Sequence, residues 1–404
     1  MIDANYLAPR FLISVEGTKL KTDITAFVRS VTYEEGDDVV SSINIDLKNP
    51  EFRFNDDKVF LEGNKVDLWM GYSGTNKGHG KLTFMNRCTI MKPNPVFPRG
   101  SQMPSFNVEA RHAATEKLMN DEPTGKRYVG LIDSKIVERI YNFVGVASFL
   151  IDTPKRGPKA VRLRKKGMSF WKFIQYLARV NGYVVDVRYD MDTGSDLGYF
   201  GPSEGSTDQK FTFTYGTGES DATLLEFQPD FSLPASKSKI EVTFIDPKTR
   251  KTRKFEIEAD RREAEEVKYV GPSGARKAQR EVRNGPSIIL SAFGERIETV
   301  ADRRFRSVAD AKRFVSAWWA RREREFIFGR GVVVGEPTLR RGQVHRLVLP
   351  DKRLTGDWRL TSVRHSMSPG QLYETEFTAT KVVLGSKVGD TVSSGDVTVS
   401  EKDQ

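Results

Sequence analysis

The residues best suited to chemistry in this 404-residue chain are four histidines, His79, His112, His345 and His365, and a single cysteine, Cys88. None of the histidines falls in an H-E-x-x-H or H-x-x-x-H spacing, the arrangement that puts two imidazoles on one helical face for zinc. His345 and His365 lie on predicted strands of one region and can approach in space, but two ordinary strand histidines account for them better. One cysteine can form neither an internal disulfide nor a thiolate cluster. Residues 74–81, Gly-Thr-Asn-Lys-Gly-His-Gly-Lys, resemble a phosphate cradle, but the glycines lack Walker spacing and Leu82 stands where Ser or Thr is required. Strands flank this stretch on both sides, so a hairpin tip explains it. There is no G-x-S-x-G elbow, and no motif pairs any of the 54 Asp+Glu. The sequence therefore assigns no catalytic residue, no cofactor and no metal.

Charge offers more. Lys+Arg number 64, giving a net charge of +10 and a pI of about 9.4. Such a balance suits a nucleic-acid surface, and equally a subunit with acidic neighbours. Lys155, Arg156, Lys159, Arg162, Arg164, Lys165 and Lys166 form one run with few acids among them. These seven are the candidate contacts to phosphate or to an acidic partner. A second group, including Arg303, Arg304, Arg306, Lys312, Arg313, Arg321, Arg322 and Arg324, is diluted by Asp310, Glu323 and Glu325. Trp318 and Trp319 are adjacent on one predicted helix and so point about 100° apart. One is expected in a core, the other as a subunit-interface anchor.

The elements that must position these residues show two periodicities. Residues 1–113 are β-rich: short alternating runs at 11–15, 43–47, 66–70, 81–91 and 106–110 are separated by turns, the pattern of a barrel or sandwich. The Pro-rich residues 92–104 read as a long hairpin loop. From 114 to 220 the period becomes helical. Ile136, Val137, Ile140, Tyr141 and Val144 form one stripe; Phe170, Phe173, Ile174 and Leu177 form another, with Ser169 as N-cap and Asn181-Gly182 as stop. Strands resume at 224–227 and 239–245. Residues 246–325 are charged and irregular, and end in a helix opened by a capping box at Ser307 with Asp310 at its third position. Residues 326–384 read as short strands, the last alternating Tyr373, Thr375, Phe377 and Ala379 against Glu374, Glu376, Thr378 and Thr380. Ser368-Pro369-Gly370 supplies the turn before it. The final residues, 385–404, are polar and expected to be disordered or ordered by a partner. No apolar run is long enough to span a bilayer, and no leader is visible, so membrane insertion is not expected.

Several of these stretches carry a resemblance. Ala317 to Arg324, followed by Gly331, Gly335, Pro337, Leu339 and Gly342, then GDWRLTSVRH (356–365) and YETEFTA (373–379), resembles the closing barrel of the phage-tail baseplate hub family. That family includes late control protein D of P2-like phages, the T4 hub and the N-terminal half of VgrG spike proteins. MSFWKFIQYLARVNGY (168–183) is similar to a helix that recurs in it, and 23–25, 28–33, 42–47 and 63–72 follow its opening barrel in order. The resemblance covers about 9–383. It implies a mixed β and α+β fold of two swollen antiparallel β-barrels with α/β insert domains. The first barrel is expected at 1–113, the α/β insert at 114–220, the second barrel at 221–245 and 326–384, and the charged insertion at 246–325.

The function it implies is structural and non-enzymatic. Three chains would form a homotrimeric ring that joins a hexameric tail tube to a trimeric central spike, with wedge proteins outside. The ring would surround a channel for the tape-measure protein and, transiently, DNA. The expected location is the virion tail baseplate, assembled in the host cytoplasm, and the seven basic residues become candidate lumen contacts. Because little chain follows the second barrel, the spike is expected to be a separate polypeptide, which favours a phage or tailocin over a type VI-like injection system. A basic nucleic-acid-binding protein and a peptidoglycan hydrolase hidden in the insert are the alternatives from other classes.

Overall fold

The computed structural model describes the chain except residues 1–7, 74–81, 154–160, 203–210, 217–221, 232–236, 259–282 and 385–399, and scattered positions 38, 101, 121–122, 182, 247–248, 301–304, 306–307, 325–326, 352, 382 and 404. The first six long strands are β1 (Ala8–Val15), β2 (Val28–Gly36), β3 (Val39–Lys48), β4 (Lys65–Ser73), β5 (Leu82–Val96) and β6 (Ser105–Arg111). They pair in the order β1-β4-β5-β6-β3-β2 and curl around Val31, Ile43, Ile45, Leu47, Val66, Leu68, Phe106 and Val108, all buried. Each strand alternates, so every second side chain reaches this core.

Strand β5 runs through Pro93 and Pro95, and only residues 97–104 form the hairpin loop, which is shorter than the Pro-rich composition suggests. The reason lies in the pairing. Beyond Thr89, β5 has β6 on one side and, among the described residues, no strand on the other, the setting in which a missing N–H is tolerated.

The α/β insert follows: α1 (Ala113–Met119), β7 (Lys126–Val129), α2 (Asp133–Val144), β8 (Ala147–Leu150), β9 (Val161–Arg164), α3 (Phe170–Asn181), β10 (Tyr183–Asp190) and β11 (Ser195–Pro202). Strands β10, β11 and β8 form a three-stranded sheet, and β7 with β9 a separate two-stranded ribbon. The predicted stripes of α2 and α3 both point into one core. Ser169 caps α3, its Oγ accepting from the Lys172 amide at 3.3 Å.

The second barrel is closed. Its six strands are β12 (Thr212–Tyr215), β13 (Ala222–Phe231), then β17 (Ile327–Val334), β18 (Val344–Val348), β19 (Gly356–Met367) and β20 (Glu374–Lys381). They run in the cycle β19-β18-β12-β13-β17-β20 and back to β19. It is antiparallel except at β12, which is parallel to both its neighbours. Gly370 has a φ of +78° and the Gln371 amide returns to Ser368 O at 3.1 Å, so Ser368-Pro369-Gly370 makes the predicted turn.

The charged insertion is more regular than its sequence suggests. Strands β14 (Lys239–Ile245), β15 (Thr252–Glu258), β16 (Ile297–Val300) and β21 (Ser400–Asp403) form a four-stranded sheet in the order β16-β14-β15-β21. Helix α5 (Val308–Arg324) packs on it, and a shorter helix, α4 (Gly285–Phe293), contributes Leu290 to the same core. Two expectations change here. Residues 239–245, assigned by sequence to the second barrel, pair with the insertion instead, because Ile240, Val242 and Phe244 face α5 rather than the barrel. The last residues are not wholly unpaired: Ser400–Asp403 pair antiparallel with β15. The Ser307 cap lies outside the described residues.

The two barrels are one continuous sheet, because β19 pairs with β2 from Ser362↔Gly36 to Met367↔Val31 while also pairing with β20. A proline at Ser366, which has strand neighbours on both sides, removes ladder bonding from this seam and lowers the urea midpoint of the whole protein. Pro95→Ser, on the half-free stretch of β5, changes stability by no more than about 0.5 kcal/mol. Equal effects of the two in urea titrations would refute the seam's role.

Candidate functional site

The predicted chemistry residues are absorbed into the fold. Cys88 is buried, and burial pushes its thiol well above the usual range. His345 Nδ1 accepts from the Phe211 amide at 3.2 Å, and its Nε2 lies 2.9 Å from Gln343 Oε1. His365 Nδ1 meets the Tyr373 hydroxyl at 2.8 Å and its Nε2 meets Leu339 O at 3.1 Å. None of these partners is common to the two imidazoles. His112 is buried with Nε2 3.1 Å from Asp196 Oδ1. His79 and the 74–81 loop lie outside the described residues. Among the described residues no group of three His, Cys, Asp or Glu is placed to hold a metal, and no helix is long and apolar enough to cross a membrane.

The basic run divides. Lys155, Arg156 and Lys159 lie outside the described residues. Arg162 turns inward to a fork on Asp133, Nε to Oδ1 at 2.8 Å and Nη2 to Oδ2 at 2.6 Å. Arg164 is 2% exposed; it donates to Met168 O and Thr124 O, both at 2.8 Å, and lies 4.7 Å from the Phe170 ring centre. Both arginines hold the β7–β9 ribbon onto α2 and α3 rather than presenting charge. Lys165 and Lys166 are exposed. Trp319 is in the insertion core; Trp318 packs against the same core and donates Nε1–H to Glu298 at 3.2 Å.

The side chains that organise the molecule sit elsewhere, in the loop 335–343 between β17 and β18. Gly335 begins it. Its amide donates to Tyr373 O at 2.7 Å, its carbonyl accepts from the Tyr72 hydroxyl at 2.7 Å, and a Cβ there would stand 2.1 Å from the Tyr373 ring. Gly342 ends it with φ +82°, a value that favours glycine.

Between them, Arg340 donates to Pro337 O at 2.9 Å, to Leu339 O at 2.8 Å and to Phe84 O of the first barrel at 3.0 Å. Arg341 reaches from the second barrel to two other modules. Its amide donates to Glu35 Oε1 at 2.7 Å, and its guanidinium meets Asp37 at 3.3 Å, Val185 O at 3.1 Å and the Asp186 carboxylate. Arg359 of β19 forks onto the same Asp37 at 2.7 and 3.1 Å. The second Glu35 oxygen accepts from the Tyr33 hydroxyl at 2.7 Å. A neighbouring contact repeats the theme: Arg87 forks onto Asp67 and donates to the Tyr189 hydroxyl at 2.7 Å, tying β5 to β10. This polar junction fixes the insert against both barrels. It is the structural content of the Gly335–Gly342 motif, and its two arginines went unnoticed in the sequence because loop arginines usually read as solvated.

Burial pushes the Asp186 carboxyl up, but Arg341, with Arg188 behind it, outweighs that and holds it below the usual carboxylate range. Burial, reinforced by the nearby Arg340 charge, takes His365 down to about 3.

No family model matches the sequence. No curated protein matches it either. Solved structures do. A tail protein from Neisseria meningitidis superposes over 92% of this chain and 96% of its own with a TM-score of 0.63 at 11% identity. The 43 kDa tail protein of prophage MuSo2 from Shewanella oneidensis covers 92% and 98% with a TM-score of 0.59 at 10% identity. The chain has the fold of these tail proteins. An Escherichia coli component of the type VI secretion system, described as structurally similar to bacteriophage tail proteins, shares the fold over 91% of this chain and 76% of its own, with a TM-score of 0.51 at 10% identity.

Two predictions follow from the junction. Arg341→Met strands Asp186, whose side chain is 26% exposed, leaves Asp37 to Arg359 alone, and costs about 3 kcal/mol, the low end for breaking a buried pair. It also exposes the links around the insert to limited proteolysis; unchanged urea midpoint and cleavage would show that the clamp is idle. The second concerns pH. His365 binds a proton readily when unfolded, near pH 6.5, but not when folded until about pH 3. Its contribution to stability is therefore complete above pH 6.5 and falls as pH drops toward 3, by about 1.4 kcal/mol per pH unit. Asp186, with its folded value depressed, adds a loss at lower pH in the same direction. His365→Gln should flatten the stability profile between pH 6 and 4, and a slope identical to the parent protein's would rule out this assignment.

Proposed function

We propose that the protein is a structural baseplate hub of a phage or phage-like tail, acting by assembly and not by catalysis. The observation that carries this is the pair of barrels fused through β19 into one rigid sheet. A subunit built this way offers two barrel surfaces at a fixed separation, so three copies present six to a hexameric tail tube while meeting a trimeric spike with threefold symmetry. The fold shared with two tail proteins supports the same reading, and the fold shared with a type VI component supports extending it to contractile injection systems generally.

In this proposal the ring encloses a channel for tape-measure protein and DNA, a separate chain forms the spike, wedge proteins bind outside, and the particle's tail baseplate is where the protein resides. The net charge of +10 does not by itself call for nucleic acid, since two arginines of the basic run are committed to Asp133 and to backbone carbonyls. Lys165 and Lys166 remain candidates for an acidic or lumenal contact, and Trp318 for a subunit contact.

Negative-stain electron microscopy of the purified chain, alone and mixed with the spike protein of its own tail cluster, tests the proposal. Threefold rings with a central hole and six lobes are expected in at least the mixture. Single asymmetric particles in both samples would contradict it.

A further inference from the structure

The β7–β9 ribbon of the insert has two faces of opposite character. Its register is Val161↔Val129, Arg162↔Tyr128, Leu163↔Arg127 and Arg164↔Lys126. Tyr128, Arg162 and Arg164 point inward: Tyr128 stacks on Phe173 at 5.7 Å, and the two arginines make the contacts to Asp133, Met168 and Thr124. The outward face carries Arg127, Val129 and Leu163, and the two apolar side chains on it are 56% and 53% exposed. Lys126 opens the ribbon on the Tyr128 face, its Nζ 5.5 Å from the Tyr128 ring centre, and Lys165 and Lys166 follow β9, all exposed. Among the described residues none of Lys126, Arg127, Lys165 and Lys166 has a carboxylate within ion-pair distance. Each strand pairs with only one neighbour, so among the described residues each leaves one edge of backbone N–H and C=O groups without a strand.

We infer that this ribbon is a docking site for an extended segment of a partner protein, acidic residues alternating with apolar ones, which adds to it as a third strand. The free edge supplies main-chain hydrogen bonds, and side chains of alternate residues supply selectivity. Apolar side chains of the incoming strand cover Val129 and Leu163, and its carboxylates, on the opposite face, meet Lys126 at the end of the ribbon, with Lys165 and Lys166 beyond β9. Charge complementarity selects an acidic partner. The two exposed aliphatic side chains at the centre favour protein over nucleic acid, since a phosphate backbone gains nothing from them and the outward face offers no aromatic ring for a base to stack on. The inference does not rest on the hub proposal, because a single chain presents the whole ribbon.

The test uses the full chain and labelled peptides of about ten residues, long enough to pair along a strand. One peptide alternates Glu and Val; a second has the same composition in two blocks; a short DNA duplex is the third probe. Fluorescence anisotropy at low and high salt should show the alternating peptide binding about tenfold or more tightly than the block peptide. The K165E/K166E double variant should lose about tenfold, and Leu163→Thr should lose affinity with its thermal melt unchanged. Three results would overturn the inference: equal binding of the two peptides, tighter binding of the duplex than of either peptide, or no binding at all. The last would mean that the lysines only keep an exposed edge from pairing with other chains.

Discussion

Everything in this protein depends on one strand having partners on both sides. Strand β19 belongs to the second barrel at its start, where Trp358, Leu360 and Val363 enter that core, and to the first at its end, where Met367 enters the other. The change of allegiance needs an irregularity, and the register shifts between Leu360 and Ser362 provide it. The extra residue, Thr361, bonds through its hydroxyl to Thr378 at 2.7 Å, so the bulge leaves no buried hydroxyl unsatisfied. His365 sits just past this crossing, stacked 6.2 Å from Tyr33 of the first barrel and hydrogen-bonded to Tyr373 and Leu339 of the second. A neutral imidazole suits this place because it donates on one side and accepts on the other.

Around the crossing the modules are joined by charge rather than by grease. Glu35, Asp37, Asp186, Arg341 and Arg359 form a connected set in which the carboxylates of two modules meet guanidiniums of a third. An apolar interface of this size tolerates sliding, whereas forks of N–H onto carboxylate accept one geometry. Replacing such a set by apolar residues need not lower stability, so its contribution is orientation. That is what a subunit needs if its two barrels and its insert must each face a different neighbour.

Much of this was visible in the residues. The stripe Phe170, Phe173, Ile174 and Leu177 names α3 and its buried face, and the strict alternation of 373–380 names β20. These succeed because a helix or strand with one buried face must repeat with the period of its backbone. The insertion was harder. The charge of 246–325 hides a small sheet whose core is Ile240, Val242, Phe244, Phe255 and Ile257 with Leu290, Phe305 and one face of α5. The junction was hardest of all. Arg340 and Arg341 have no periodicity, and their partners in the other modules are 156 to 306 residues away, so local sequence offers no signal beyond the two glycines that bracket them. The basic run misled for a related reason: Arg162 and Arg164 alternate on a strand, and alternation in a cationic stretch also means that half of it faces inward.

The shared strand also sets the order in which the protein can be made. Strand β2 ends at Gly36, yet the strand that pairs with its outer edge begins its contact at Ser362, 326 residues later in synthesis. Until then the first barrel, though it has all six of its own strands by Arg111, carries an open flank and lacks Met367 and Tyr373 from its interior. The insert and the second barrel must therefore be synthesised beside a neighbour that is waiting to be closed, and a truncated chain would carry that sticky flank permanently. Only a chain that extends through Met367 and Tyr373 hides it, so synthesis of the second barrel is itself a check on the folding of the first.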